Sequence, residues 1–260
     1  MTPPATHNFI RHKKDMSKCI VLCCVAFCSP VSACTFCNPQ IRDGIFNSTF
    51  YPNLFTMLSA FIALTIIVIL LAAISANRHK AFMYDNPYYI GKSPVALATA
   101  ATVIGIGVGG FIDGIALHQI LQWHEMLSNK IPSTDYVSKS INMFWDGIFH
   151  GFCVLVVLVG IILLWNAGKA RDNDMSFRLL AGGMLSGWAL FNIVEGVIDH
   201  HILKLHNVME FAPDHDIANF YFLGISGIML IIGWLLMRRT RRSNVQNAMR
   251  IIPTFNFNNF

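Results

Sequence analysis

Five long apolar stretches constrain the fold more than any other feature of this chain. As helices, each is long enough to cross roughly 30 Å of hydrocarbon. Of the 260 residues, 54% are hydrophobic and only 13% are charged, which is too apolar for an ordinary soluble domain. None of the stretches alternates polar and apolar residues as a β-barrel strand does. The sequence therefore predicts an all-α integral membrane protein with five transmembrane helices, at about residues 54–76, 95–118, 143–165, 179–200 and 218–237.

The N-terminal segment, residues 1–33, has a lysine, a short apolar core and small residues at its end, as a secretory signal does. Its end also resembles the site at which bacterial lipoproteins are cleaved, so that both plain cleavage after Ala33 and lipidation of Cys34 remain open. Residues 34–53 would then be exported. There Cys34 and Cys37 could form a disulfide or a thiol clip for a soft metal, and lipidation of Cys34 would exclude both.

Basic residues predict the orientation, because lysine and arginine accumulate in cytoplasmic connections. They lie on alternate connections and at the C-terminus. They are Arg78, Lys80, Lys169, Arg171, Arg178, Arg238, Arg239, Arg241 and Arg242. We therefore expect an exported N-terminus and a cytoplasmic tail at residues 241–260. This bias accounts for the net charge of +5, so the arginine run at 238–242 is interpreted as a membrane anchor and no nucleic-acid partner is expected.

Two segments of the chain share one pattern of acids, glycines and histidines. Asp113, His118 and His124 correspond to Glu195, His200 and His206, each 82 residues further along. Each copy ends a glycine-rich apolar stretch and precedes a loop and a second apolar stretch. The sequence thus predicts that residues 90–240 form a four-helix bundle of two repeated helical hairpins, with the first span (54–76) outside it.

Glycines recur in the first helix of each hairpin, where Gly105 matches Gly187. Small residues let membrane helices approach closely, since lipid supplies no hydrophobic drive for their association. We expect these glycines to give the bundle small surfaces for close helix contact.

The repeated acids and imidazoles predict a metal centre, because ionisable groups are expensive at the edge of a bilayer. Asp146 and His150, four residues apart on the third span, face the same end of the bundle. The candidate ligands are Asp113, His118, His124, Asp146, His150, Glu195, His200 and His206. Asp199 and His201 are expected to be peripheral.

An ideal helix would separate the members of each copy. Asp113 shares a face with His124, and Glu195 with His206, but each pair is about 16 Å apart along the axis. Two layers with separate centres are therefore expected. His118 lies about 140° around the helix from Asp113, so that it faces another helix unless the glycine after the carboxylate permits a local break.

Histidines mixed with carboxylates are typical of iron, manganese or zinc centres rather than thiolate-rich copper sites. Nearby methionines keep copper possible. A bis-histidine haem is not expected, because several carboxylates would surround its iron. A static hydrogen-bonded network and a proton relay remain alternatives to metal binding.

The motifs at residues 110–124, 144–150 and 187–201 resemble a family of predicted bacterial membrane proteins that is known as a domain of unknown function. The resemblance covers about residues 90–240. It implies a location in the bacterial inner membrane. Members often occur beside assembly factors for copper-containing cytochrome oxidases, which implies a respiratory context and an oxidase as partner.

Three functions remain open at this point. The first is a membrane metalloprotein with its centre near the exported face, catalysing an oxidoreductase reaction. The second is a copper carrier or oxidase assembly factor that acquires its metal at Cys34 and Cys37. The third is a non-catalytic accessory subunit of a membrane complex.

Overall fold

A computed structural model describes residues 37–86 and 91–251, and no strand occurs among them. The predicted signal segment and Cys34 lie outside the described residues. Two helices continue directly into π-helices, which we call π1 and π2. The elements are α1 (Pro39–Ile45), α2 (Phe50–Asp85), α3 (Val95–Ile112) with π1 (Asp113–Ile120), α4 (Tyr136–Lys169), α5 (Phe177–Glu195) with π2 (Gly196–Ile202), and α6 (His215–Ile251).

Five of these helices are long and apolar enough to cross a membrane, which confirms the predicted fold class. They cover Phe50–Asp85, Val95–Ile120, Tyr136–Lys169, Phe177–Ile202 and His215–Arg238. They extend beyond the predicted apolar stretches because polar residues can continue a helix after the hydrocarbon ends. Large apolar side chains cover their outer faces, as a bilayer environment requires.

The helices pack in the order expected for two hairpins. α3 and α5 form a central pair, α4 packs against α3, and α6 packs against α5. α2 contacts α3 and α5, and its buried residues all lie in its first half, between Asn53 and Leu64. The first span therefore lies at the margin of the four-helix bundle, where its first half packs against α3 and α5.

The central pair is held by a reciprocal contact between the two copies. A Cβ on Gly105 would lie 2.1 Å from the Met184 carbonyl oxygen, and one on Gly187 would lie 2.0 Å from the Thr102 carbonyl oxygen. Because Met184 is the repeat equivalent of Thr102, the two contacts are the same contact seen from either side. Only glycine allows the backbones to approach this closely.

The bundle has two different ends. At one end, the linkers before α3 and before α5 are joined, since the Ser93 amide donates to Asp172 and the Asp174 amide donates to Ser93 at 2.7 and 2.8 Å. The other end carries π1, π2 and the loops that follow them. We call this second end the site end.

Candidate metal centre

The two π-helices bring each carboxylate next to the histidine five residues later. In a π-helix, hydrogen bonds join residues i and i+5, and here the Leu121 amide donates to Ala116 as the Leu203 amide donates to Ile198. The wider turn removes the 140° offset of an α-helix. As a result, His118 Nε2 lies 3.0 Å from Asp113 Oδ2, and His200 Nε2 lies 2.8 Å from Glu195 Oε1.

This is the local break that the sequence left open, but its cause differs from the expected one. The glycine after Glu195 keeps helical backbone angles, with φ −57° and ψ −38°. No glycine among the described residues has a positive φ. The break is therefore a change of helix type and does not use the conformational freedom of glycine.

A left-handed residue then reverses the chain in each copy. Gln122 has φ 51° and Lys204 has φ 48°, although neither is a glycine. Such angles are costly and persist where the surroundings fix them. The Gln122 side chain accepts from Lys139 at 3.0 Å, and the Lys204 carbonyl accepts from Asn129 at 3.3 Å.

The reversal overturns the expectation of two separate layers. His206 Nε2 lies 2.9 Å from Glu195 Oε1, and His124 Nε2 lies 3.8 Å from Asp113 Oδ1. The predicted separation of about 16 Å assumed eleven residues of unbroken helix. The loop instead folds back over the helix end, so that all three members of each copy meet.

The two copies form one cluster because each loop holds the histidine of the other copy. His124 Nδ1 donates to the Val208 carbonyl at 3.0 Å, and His206 Nδ1 donates to the Met126 carbonyl at 3.1 Å. These two bonds are repeat equivalents. The imidazole rings of His124 and His206 are parallel within 6°, with centroids 4.6 Å apart.

Two groups of three side chains have ligand atoms that lie within 4.8 Å of one another. One group is His118, His124 and His206, and the other is Glu195, His200 and His206. All of these residues are buried. The cluster can therefore hold a metal ion, and the geometry alone does not determine which metal.

The imidazole protons are placed as metal-binding histidines require. A carbonyl oxygen can only accept, so His124 and His206 carry a proton on Nδ1. This leaves Nε2 of His124 facing the cluster, whereas Nε2 of His206 lies 2.9 Å from Glu195 Oε1. His118 has the same arrangement, since its Nδ1 lies 2.9 Å from Asp146 Oδ1. Such bonds fix the tautomer and ring orientation of histidine ligands.

Several Nε2 atoms approach a carboxylate without making a hydrogen bond. Those of His118, His124 and His200 are buried and have no hydrogen-bond partner in the described chain, although two of them lie within 3.0 Å of a carboxylate oxygen. These two short contacts are within ion-pair distance but lack hydrogen-bond alignment. Two ligands of one ion, each about 2.0–2.2 Å from it, are themselves roughly 3 Å apart, as these atoms are.

Burial and neighbouring groups shift the pKa values of three residues in the loops that close the cluster. Burial, together with the neighbouring imidazole of His118, holds the pKa of His124 well below its usual value. Burial acts in the same direction on His206, but the hydrogen bond and charge of Glu195 outweigh it and raise the pKa of His206. Burial also raises the pKa of Glu125, whose carboxylate accepts from Ser133.

Asp146 joins the cluster through His118, and its Oδ1 also accepts from the Met126 amide at 3.0 Å. It thus supports a ligand and the loop at once. The first copy therefore contains a carboxylate that holds an imidazole from outside the three-residue group.

Besides Asp113 and Asp146, three other predicted residues lie nearby but outside the two groups. His150 Nε2 is buried against Gly114, so close that a Cβ added to Gly114 would lie 2.3 Å from it. The His150 ring stacks on Phe111. His201 packs against Phe220. Asp199 is buried within electrostatic range of Glu195 and His206. Cys37 is exposed in the segment before α1.

Sequence reasoning missed two buried asparagines that shape the site. Asn142 accepts from the Leu127 amide and Asn219 from the Val208 amide, at 3.0 and 2.9 Å. Both stand two residues before the matching aromatic pair Phe144 and Tyr221, so that extending the repeat alignment towards the N-terminus would have found them.

Comparison with known proteins agrees with this architecture. Residues 100–240, more than half of the chain, match the model of a family described as predicted membrane protein (DUF2243). The match contains π1, π2, both loops and every member of the cluster. No curated protein and no solved structure matches the chain. The chain therefore belongs to the DUF2243 family of predicted membrane proteins.

Proposed function

We propose that this chain is a membrane metalloprotein with a two-ion centre, in which each repeat copy supplies two histidines and one carboxylate. The first ion would be held by Asp113, His118 and His124. The second would be held by Glu195, His200 and His206. The observation that carries the proposal is the set of buried Nε2 atoms of His118, His124 and His200 that lack hydrogen-bond partners in the described chain. In the first copy, the Nδ1 atoms of His118 and His124 already have acceptors.

A static hydrogen-bonded network explains these contacts less well. A protonated imidazole could donate to Glu195, as the His206 contact allows. For His118 and His200, a charged imidazole would form an ion pair with the carboxylate but would leave Nε2 without an aligned hydrogen bond. A cation placed between nitrogen and oxygen satisfies all of these atoms.

We infer iron as the resident metal and an oxidoreductase reaction as the activity. Two histidines and one carboxylate are the ligand set typical of non-haem iron, and iron held by these residues would supply redox chemistry with a small oxidant. Zinc and copper are the alternatives that metal analysis would distinguish. The burial of every ligand favours a resident cofactor over exchangeable copper cargo, because a carrier must release its metal to a partner.

We also infer that the site end faces the exported side of a bacterial inner membrane. The basic residues of the linkers lie at the opposite end, where Ser93 meets Asp172 and Asp174, and positive residues accumulate on the cytoplasmic side. Fusion of a reporter active only outside the cytoplasm to the loop at 129–135 tests this orientation. Activity of a reporter fused after Arg238 would contradict it.

Metal analysis of the full-length protein, purified after growth with iron, zinc and copper, tests the metal proposal. We expect two ions per chain in the unmodified protein and almost none after His118→Ala is combined with His200→Ala. The control is His215→Ala, an exposed histidine whose Nε2 contacts only the Glu210 carbonyl in the described residues. A ratio of one ion per chain would contradict the two-ion arrangement, and a ratio near zero would contradict metal binding altogether.

A further inference from the structure

A second feature lies in the half of the bundle away from the metal centre. The second half of α2 separates from the other helices and leaves a cavity of about 690 Å³ between α2, α3, α5 and α6. We call it the α2 groove. Ile67, Leu71, Leu190 and Trp234 are among the side chains that line it. Its volume is typical of a small-molecule binding site, which usually measures about 300–1,000 Å³.

One part of the α2 groove is polar. Arg78 lines it together with Ser75, which lies one helical turn before Arg78 on the same face of α2. Thr99 of α3 also lines it. Arg78 is exposed, and no hydrogen bond or ion pair joins its side chain to another described residue. The guanidinium is thus available to a ligand.

The length of the α2 groove matches one leaflet of a bilayer. Eleven residues of helix separate Ile67 from Arg78, which corresponds to a rise of about 16 Å. Half of a hydrocarbon core of roughly 30 Å is about 15 Å. An occupant with a charged head at Arg78 and an apolar tail reaching Ile67 would therefore extend from the membrane surface to the midplane.

We propose that the α2 groove binds an anionic phospholipid, with its phosphate at Arg78 and one acyl chain along Leu71 and Ile67. An apolar cavity at this depth opens to lipid and not to water, so lipid tails are the molecules that reach it. A basic residue near the surface attracts anionic headgroups, and a guanidinium binds phosphate by paired hydrogen bonds. This site does not depend on the metal proposal.

Lipid analysis of the purified full-length protein tests this inference. The protein is extracted from membranes in mild detergent, and phosphatidylglycerol and phosphatidylethanolamine are counted per chain by mass spectrometry. We expect Arg78→Gln to lower bound phosphatidylglycerol about fivefold while leaving phosphatidylethanolamine unchanged. Ala72→Phe, which fills the α2 groove from the marginal helix, should lower both lipids. The control is Lys169→Gln, which removes a basic residue outside the groove.

Thermal unfolding of each variant in detergent shows whether the bundle is folded, and this control does not depend on the metal proposal. Equal loss of phosphatidylglycerol in Arg78→Gln and Lys169→Gln would overturn the proposal, since any basic residue would then suffice. Retention of both lipids by Ala72→Phe would overturn it as well. Recovery of only an isoprenoid lipid would assign the groove to another class of ligand.

Discussion

The two repeat copies have the same inner residues but different supports. The acid and two histidines of the first copy, Asp113, His118 and His124, correspond to Glu195, His200 and His206 in the second. In each copy, the second histidine donates to a loop carbonyl of the other copy. The supports differ because the first copy has Asp146 behind His118. In the described residues, no hydrogen-bond partner reaches His200 Nδ1. The repeat has thus kept the residues that meet at the centre and changed those that hold them in place.

If each copy holds an ion as proposed, this difference predicts that the two ions bind with unequal affinity. A histidine whose Nδ1 donates to a carboxylate is a better oriented and more basic ligand than one without a partner. The ion of the first copy should therefore bind more tightly than the ion of the second. The following predictions test that comparison, beginning with the largest expected effect.

Removing one histidine from each copy should remove different ions. We expect His118→Ala to leave one weakly held ion and His200→Ala to leave one tightly held ion. The measurement is the metal-to-chain ratio before and after dialysis against a chelator. After dialysis, His200→Ala should retain its ion and His118→Ala should lose it. If both variants behave alike, the two copies bind metal equivalently and Asp146 does not distinguish them.

Removing the charge of Asp146 should weaken only the tighter ion. An amide at this position can still accept from His118 and Met126, but without the negative charge that makes the imidazole a stronger ligand. We expect Asp146→Asn to reduce metal affinity of the first copy by about 10–100-fold, as for other residues that orient a ligand. Metal competition titrations measure this change.

The control for Asp146→Asn is Asp199→Asn, a buried carboxylate of the second copy. In the described chain, no hydrogen bond joins Asp199 to an imidazole. Its substitution should change affinity much less. A larger effect for Asp199→Asn than for Asp146→Asn would reverse the assignment of support between the copies.

Substituting either glycine at the contact between α3 and α5 should destabilise the protein to the same extent. Because Gly105 and Gly187 meet equivalent carbonyls at nearly equal distances, Gly105→Ala and Gly187→Ala should each lower the free energy of unfolding by about 1–3 kcal/mol. Thermal unfolding in detergent measures the loss. The control is Gly224→Ala, where nothing lies within 4 Å of an added Cβ. Unequal losses at the two glycines would show that the reciprocal contact is not symmetrical in solution.

The sequence predicts the fold well because its signals are local. The apolar stretches predict five helices, which is confirmed, and the glycines predict close helix contact within the bundle. Gly105 and Gly187 lie at such a contact, between α3 and α5. They need only hydrophobicity, helix length and residue size.

The sequence predicted which residues form the site but not how they are arranged in space. The repeat drew attention to Glu195 and His206, yet ideal-helix reasoning placed them about 16 Å apart. A π-helix followed by a left-handed residue brings them within 2.9 Å. Neither feature has a sequence signal here, because Gln122 and Lys204 adopt left-handed angles without being glycine or asparagine. Contacts made across the bundle hold them there.

The smallest expected effect concerns the two asparagines that anchor the loops. Asn142 accepts from Leu127 and donates to Ile131, Ser133 and Ser138, whereas among the described residues Asn219 accepts from Val208 and donates to Asn207 alone.

Leucine at either position has a similar size but leaves the loop amide unpaired. We expect Asn142→Leu to lower the free energy of unfolding by about 2–3 kcal/mol and Asn219→Leu by about 1 kcal/mol, since each buried bond contributes roughly 1 kcal/mol. Chemical unfolding in detergent of both variants, prepared without metal, measures the difference. Because metal-free protein removes any contribution from the ions, a larger loss for Asn219→Leu would mean that the second loop depends more on its asparagine. The asymmetry of the supports would then be confined to Asp146 and would not extend to the loops.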